Sequence, residues 1–184
     1  AGPSWISIVR WPSVHTIIWL YLPPEPLILQ VVERLECTRA QAAQRFWAST
    51  ALFFRGLRCL TLGSECGARL DCASLGHLSA LESLATHGWD WVVLPRNTLL
   101  PALTRLELQY LDSVKVDAAL PSLQTLRLFD IRDVQLDGEC LHLPHLTELK
   151  FTADAAPAAV RVKWTAMPRL ASLVLPYEMD FEVP

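Results

Sequence analysis

The phrase P-A-L-T-R-L-E-L at residues 101–108 returns as P-S-L-Q-T-L-R-L at 121–128, as P-H-L-T-E-L-K-F at 144–151 and as P-R-L-A-S-L-V-L at 168–175. Relaxed to L-x-x-L-x-L, the pattern has six copies. They start at Leu57, Leu81, Leu103, Leu123, Leu146 and Leu170, at intervals of 24, 22, 20, 23 and 24 residues. A strand with one buried face alternates apolar and polar residues, and L-x-L supplies that alternation. One such strand cannot hide its apolar row alone. Repetition at a fixed interval hides it by stacking each copy on the next, so stability is shared between neighbours.

The proline lies two residues before the first leucine, where the chain turns into the strand and needs no ladder donor. Its fixed φ and missing N–H end any incoming helix and lower the entropy lost in ordering the turn. The preceding residue (Leu100, Leu120, Leu143 or Met167) is pushed to extended backbone, which suits it to packing inward. The returning limbs offer a second apolar layer. It comprises Leu70 and Leu75; Leu94, Leu99 and Leu100; Val114, Val116 and Leu120; Val134, Leu136, Leu141 and Leu143; and Val160, Val162 and Met167. These limbs are short and β-branched, so extended or 3₁₀ segments are expected between residues 110 and 168.

Upstream the pattern is worn. Val14, Ile17 and Trp19 fill the three places behind Pro12, and Val32, Leu35 and Cys37 fill them once more. Residues 38–55 favour helix, with Ala40, Ala43, Phe46 and Trp47 on one face, and residues 72–84 offer a second helical stretch.

A period of about 20–29 residues built on L-x-x-L-x-L resembles the leucine-rich repeat superfamily. The irregular spacing is most similar to the repeat regions of F-box-type intracellular proteins. The resemblance implies an α/β leucine-rich repeat solenoid. It would have a curved parallel β-sheet on the concave side and short helical, 3₁₀ or extended returning segments. The expected organisation is one domain over residues 1–184, with degenerate repeats plus a helix in 1–54 and six clearer repeats in 55–178. Neither end carries a polar capping repeat, so the protein is expected to extend beyond these residues. One departure is plain. The places that hold asparagine in the family hold Glu65, Trp89, Leu111, Ile131, Asp154 and Glu178, and the chain has a single asparagine, Asn97. The turns must then satisfy their backbone groups by other means.

The resemblance further implies a non-catalytic protein–protein interaction module, a substrate-recognition or scaffold domain binding a protein partner on the concave sheet. No F-box is present, so a ubiquitin-ligase adaptor would act through a region outside this chain. Strand alternation places Arg105, Glu107 and Gln109, then Arg127 and Phe129, then Glu148 and Lys150 on that face, with His87 beside them. Trp89 and Trp91, on the same side of an extended segment, form a candidate aromatic hot spot; the competing reading is that at least one of them fills the gap left by the absent asparagine turn. The competing reading of the charged strip is a solvated face whose ions pair across strands, each pair worth about 0–1 kcal/mol. The alternative role is a structural subunit buried in a large multiprotein assembly. A composition that is 52% hydrophobic, with seven tryptophans and 33 leucines, favours it.

Other classes are set aside on the residues. A net charge of −3 and a pI near 5.9 argue against nucleic acid as partner. No apolar run reaches the roughly 20 residues of a membrane-spanning helix. Five cysteines, an odd number in a chain of 184 residues, read as free thiols in a reducing compartment and hence an intracellular, cytoplasmic protein. Cys59, Cys66 and Cys72 lack the C-x-x-C spacing of a zinc site. His142 and His145 flank a proline at the entry to a strand, and Asp130, Asp133 and Asp137 are turn formers. The glycines make no phosphate loop. No cofactor, metal or catalytic constellation is expected.

Overall fold

The computed structural model describes residues 16–19, 34–37, 56–64, 69–152 and 159–175. They form a parallel β-solenoid of about five turns with little helix. Its strands in chain order are β1 (Thr16–Trp19), β2 (Arg34–Cys37), β3 (Cys59–Gly63), β4 (Arg69–Asp71), β5 (Ser83–His87) and β6 (Trp91–Leu94). There follow β7 (Arg105–Val116), β8 (Thr125–Leu136), β9 (Glu148–Thr152), β10 (Ala159–Val162) and β11 (Ser172–Val174).

Two ladders share the chain. The first runs β1-β2-β3-β5-β7-β8-β9-β11. Its register carries the repeated leucine from rung to rung. Ile17 pairs with Leu35, Leu35 with Leu60, Leu60 with Leu84, and Leu84 with Leu106. Leu106 pairs in turn with Leu126, Leu126 with Leu149, and Leu149 with Leu173. Leu60, Leu84, Leu106, Leu126 and Leu149 are buried to within 1%, each gaining about 1.5–3 kcal/mol from burial. Leu173 sits on the last described rung and is 42% exposed.

The second ladder joins β4, β6, the far half of β7, the far half of β8 and β10. Its inward column is Leu70, Val92, Val114, Val134 and Val160. β7 and β8, each 12 residues long, pass from one ladder to the other without a break. The corner is a residue in the left-handed region: Gly88 at φ 72°, Tyr110 at φ 55° and Asp130 at φ 49°. All three stand seven residues after the first leucine of their repeat. One left-handed residue turns the strand while the next side chain still faces inward.

The prolines do what their position predicts. Leu103 N–H donates to Leu100 O, Leu123 to Leu120, Leu146 to Leu143 and Leu170 to Met167, each at 3.2 Å. Proline thus occupies the second place of a four-residue turn, where its φ is already correct. The residues before it, Leu100, Leu120, Leu143 and Met167, are all buried.

Three expectations need correction or limits. The second helical stretch is a 3₁₀ helix over Cys72–His77 only, capped by Asp71 Oδ1 accepting from Ala73 N–H, and residues 83–87 are strand. With Trp164–Ala166 the only other helical segment among the described residues, and also 3₁₀, the helical layer of the expected α/β solenoid is not shown. The helix expected over 38–55 lies outside the described residues. Leu99, placed in the inner layer, is 66% exposed, and Thr98 is buried in its stead. A turn closed by Thr98 N–H on Pro95 O interrupts the alternation there. No helix among the described residues is long and apolar enough to cross a membrane.

Candidate functional site

The outward face of the first ladder is built by the alternation that buries the leucines. Its middle row reads Thr61, Ala85, Glu107, Arg127, Lys150 and Val174, each in register with the next. One row beside it carries Ser83, Arg105, Thr125, Glu148 and Ser172, and the other Gly63, His87, Gln109, Phe129 and Thr152. All the residues anticipated there (His87, Arg105, Glu107, Gln109, Arg127, Phe129, Glu148 and Lys150) lie on this one face.

Most of its charge is already paired. Arg105 Nη2 lies 3.1 Å from Glu107 Oε2, and Gln109 Nε2 donates to the other oxygen of Glu107. Arg127 crosses to Glu148, with both its Nε and Nη2 at 3.1 Å from Oε1. These side chains are 20–48% exposed, so each pair contributes at most about 1 kcal/mol. Lys150 has no ion pair or hydrogen bond among the described residues. The strip is therefore close to neutral and internally held. At its edge Phe129 is half-buried between Gln109 and Thr152. His87 lies over Gly63, where a Cβ would fall 2.5 Å from its Nε2. Gly63 thus leaves the imidazole room to lie flat on the sheet.

The two tryptophans do not make an exposed pair. Trp89 is 1% exposed and points into the core, its indole N–H donating to Leu62 O at 3.2 Å. Trp91 is 48% exposed on the second ladder, with the Arg69 guanidinium 5.9 Å from its ring centroid. The left-handed Gly88 turns Trp89 inward, and a bend at Asp90 then leaves both Asp90 and Trp91 outward, so the alternation on which a shared side depended breaks between the two indoles.

Trp89 also accounts for the missing asparagine. Its place in the repeat is matched by Leu111 and Ile131, at 2% and 5% exposure, so an apolar column stands where the resemblance expects a polar one. The backbone at these corners is satisfied by the neighbouring rung: Ser64 N–H donates to His87 O, Gly88 N–H to Gln109 O and Ser113 N–H to Asp90 O.

A second polar surface went unread in the sequence. The outward residues of the second ladder, Lys115, Gln135 and Arg161, border a shallow cleft of about 370 Å³. Its signal was present in V-K-V at 114–116 and V-R-V at 160–162, a cation between two inward valines. Comparison with family models, with curated proteins and with solved structures finds no match.

Proposed function

We propose that this chain is a non-catalytic protein–protein interaction module of leucine-rich repeat type, in which a partner engages the outward face of the first ladder. The observation that supports the reading most is the continuous register of that ladder. It presents three parallel rows of outward side chains on one sheet. A solenoid offers such a surface without any loop having to organise it. Because Arg105–Glu107 and Arg127–Glu148 are paired before binding, the partner meets a preorganised, nearly neutral strip with Phe129 and Lys150 as its unengaged groups. Preorganisation lowers the ordering cost of association. A substrate-receptor or scaffold role, including attachment to a ubiquitin ligase through another region, belongs to the same proposal, as does an intracellular setting.

The test is affinity capture from native extract with the wild-type chain and with Arg127→Glu/Phe129→Glu. A thermal melt of both proteins establishes that the variant folds. Partners retained equally by the two proteins place the binding surface elsewhere. A second reading, a permanent subunit of an assembly, is supported by the exposure of Leu99, Tyr110 and Trp91 at 66%, 62% and 48%. Light scattering on the isolated chain separates the two, since an obligate subunit aggregates alone and a receptor module stays monodisperse.

A further inference from the structure

Among the described residues the second ladder stops one rung short of the first. β11, from the sixth repeat, ends the first ladder beside β9, whereas β10, from the fifth, ends the second and pairs with β8 alone. The inward Val160 and Val162 of β10 are only partly buried, while Val134 and Leu136, one rung earlier, are buried. Lys163 N–H donates to Leu136 O at 2.7 Å. Alternate residues of a parallel strand bond to opposite neighbours, so the N–H of Val162 points away from β8, toward the outer edge. An edge of that kind, beside a partly covered apolar column, is a template for one more strand.

The chain carries a segment that fits the place. In β6, β7 and β8 the first inward residue of the second ladder, Val92, Val114 or Val134, comes 11 residues after the first leucine of its repeat. In β4 and β10 the limb is longer by two and three residues. Counted from Leu170, the 11-residue place is Phe181, and the next inward place, held earlier by Leu94, Val116 and Leu136, is Val183. Between them Glu182 takes the outward place of Lys115, Gln135 and Arg161. The chain is also long enough. β7 and β8 run unbroken from Leu108 to Val114 and from Leu128 to Val134, six residues each, and six residues separate Leu175 from Phe181. A strand there would lie about 4.8 Å from β10, with the Glu182 carboxylate beside Arg161, which is exposed and has no ion pair among the described residues. Glu178 departs from the pattern, since Trp89, Leu111 and Ile131 hold its place in earlier repeats and are buried. The match is therefore confined to residues 181–183.

We propose that the outer edge of β10 is the docking site for residues 181–183 of the same chain, which lie outside the described residues. They add as a parallel strand, with Phe181 beside Val160, Glu182 beside Arg161 and Val183 beside Val162. The docked strand covers the apolar end of the second ladder and occupies an edge on which a second copy would otherwise pair. The inference does not depend on what binds the first ladder.

The test is amide hydrogen exchange on the full chain, read residue by residue by NMR. The Val162 amide is expected to exchange at least about tenfold more slowly than in an unstructured chain. Phe181→Asp/Val183→Asp should abolish that protection while the Leu126 amide, in the middle of the first ladder, stays slow and reports that the solenoid is folded. Glu182→Arg should speed Val162 exchange by about two- to fivefold, the worth of one exposed pair, and Glu182→Arg/Arg161→Glu should restore it. The charge pair carries the test if the double aspartate variant fails to fold. An unprotected Val162 in the wild-type chain, protection untouched by the aspartates, or a charge swap that restores nothing would each overturn the proposal. So would protection that rises with protein concentration together with a dimer mass in light scattering, which would put a second copy on the edge.

Discussion

The indole N–H of Trp89 donates to the carbonyl oxygen of Leu62 across 3.2 Å, from a side chain that is 1% exposed. The bond ties the corner after β5 to the end of β3, one rung earlier. It gives a large aromatic the task of a polar turn residue, filling the space at the corner and satisfying one backbone acceptor there.

Trp89→Phe should therefore lose the hydrogen bond while keeping most of the packing, and leave a buried carbonyl short of a donor. The expected cost is about 1–3 kcal/mol, against about 3–5 kcal/mol for Trp89→Ala. Urea unfolding followed by circular dichroism measures both. A Phe variant as damaged as the Ala variant would show that the bond, not the ring, dominates.

Thr86 takes the third leucine's place in β5, is 1% exposed, and its Oγ1 has no hydrogen-bond partner among the described residues. Thr86→Val keeps the shape and removes a desolvated hydroxyl, so it should stabilise the protein by about 1 kcal/mol. The same unfolding assay reads the change. A loss of stability would mean that the hydroxyl is satisfied in solution.

The corner residues separate conformation from side chain. At Gly88 a Cβ would lie 2.3 Å from Ser64 O at a φ of 72°, so Gly88→Ala combines a backbone clash with left-handed strain and should cost more than about 2 kcal/mol. At Asp130, with φ 49°, the chain already bears that strain. Asp130→Gly should then be neutral or stabilising by up to about 1 kcal/mol. Thermal unfolding of the two variants should shift in opposite directions or, at least, by clearly different amounts.

Burial pushes the Cys72 thiol well above its ordinary range, and the neighbouring Asp71 carboxylate adds to the effect. The folded state thus keeps this proton where the unfolded chain releases it. The sign follows: the stability contributed is full below the unfolded thiol's pKa of about 8.5 and declines as pH rises past it. The decline is about 1.4 kcal/mol per pH unit relative to Cys72→Ala. Unfolding free energies of the two proteins between pH 8 and 10 measure the difference, and parallel slopes would contradict it. In the native protein iodoacetamide should label the exposed Cys140 before the buried Cys72.

The leucines at period two and the prolines ahead of them by themselves determined the first ladder. They specified its parallel stacking, its register and the set of side chains on its outer face. Register is legible because a slip of one residue would turn every leucine outward. The same rule read V-K-V and V-R-V only for their valines, and so the lysine and arginine between them were passed over.

Only the tertiary structure decided the corners. Nothing in Tyr110 marks a left-handed residue, whose intrinsic cost of about 1–2 kcal/mol disfavours it locally, and Asp130 signals a turn without fixing where the strand bends. The conformation persists because it carries Leu111 and Ile131 into the core and lets one strand serve two ladders. The corner likewise sent Trp89 inward after the left-handed Gly88, and the bend at Asp90 sent Trp91 outward, two breaks in the alternation that sequence reading assumes to continue. The pairing of Arg127 with Glu148, and the lack of a partner for Lys150 among the described residues, depended on side-chain reach across strands. Spacing along a chain does not encode that reach.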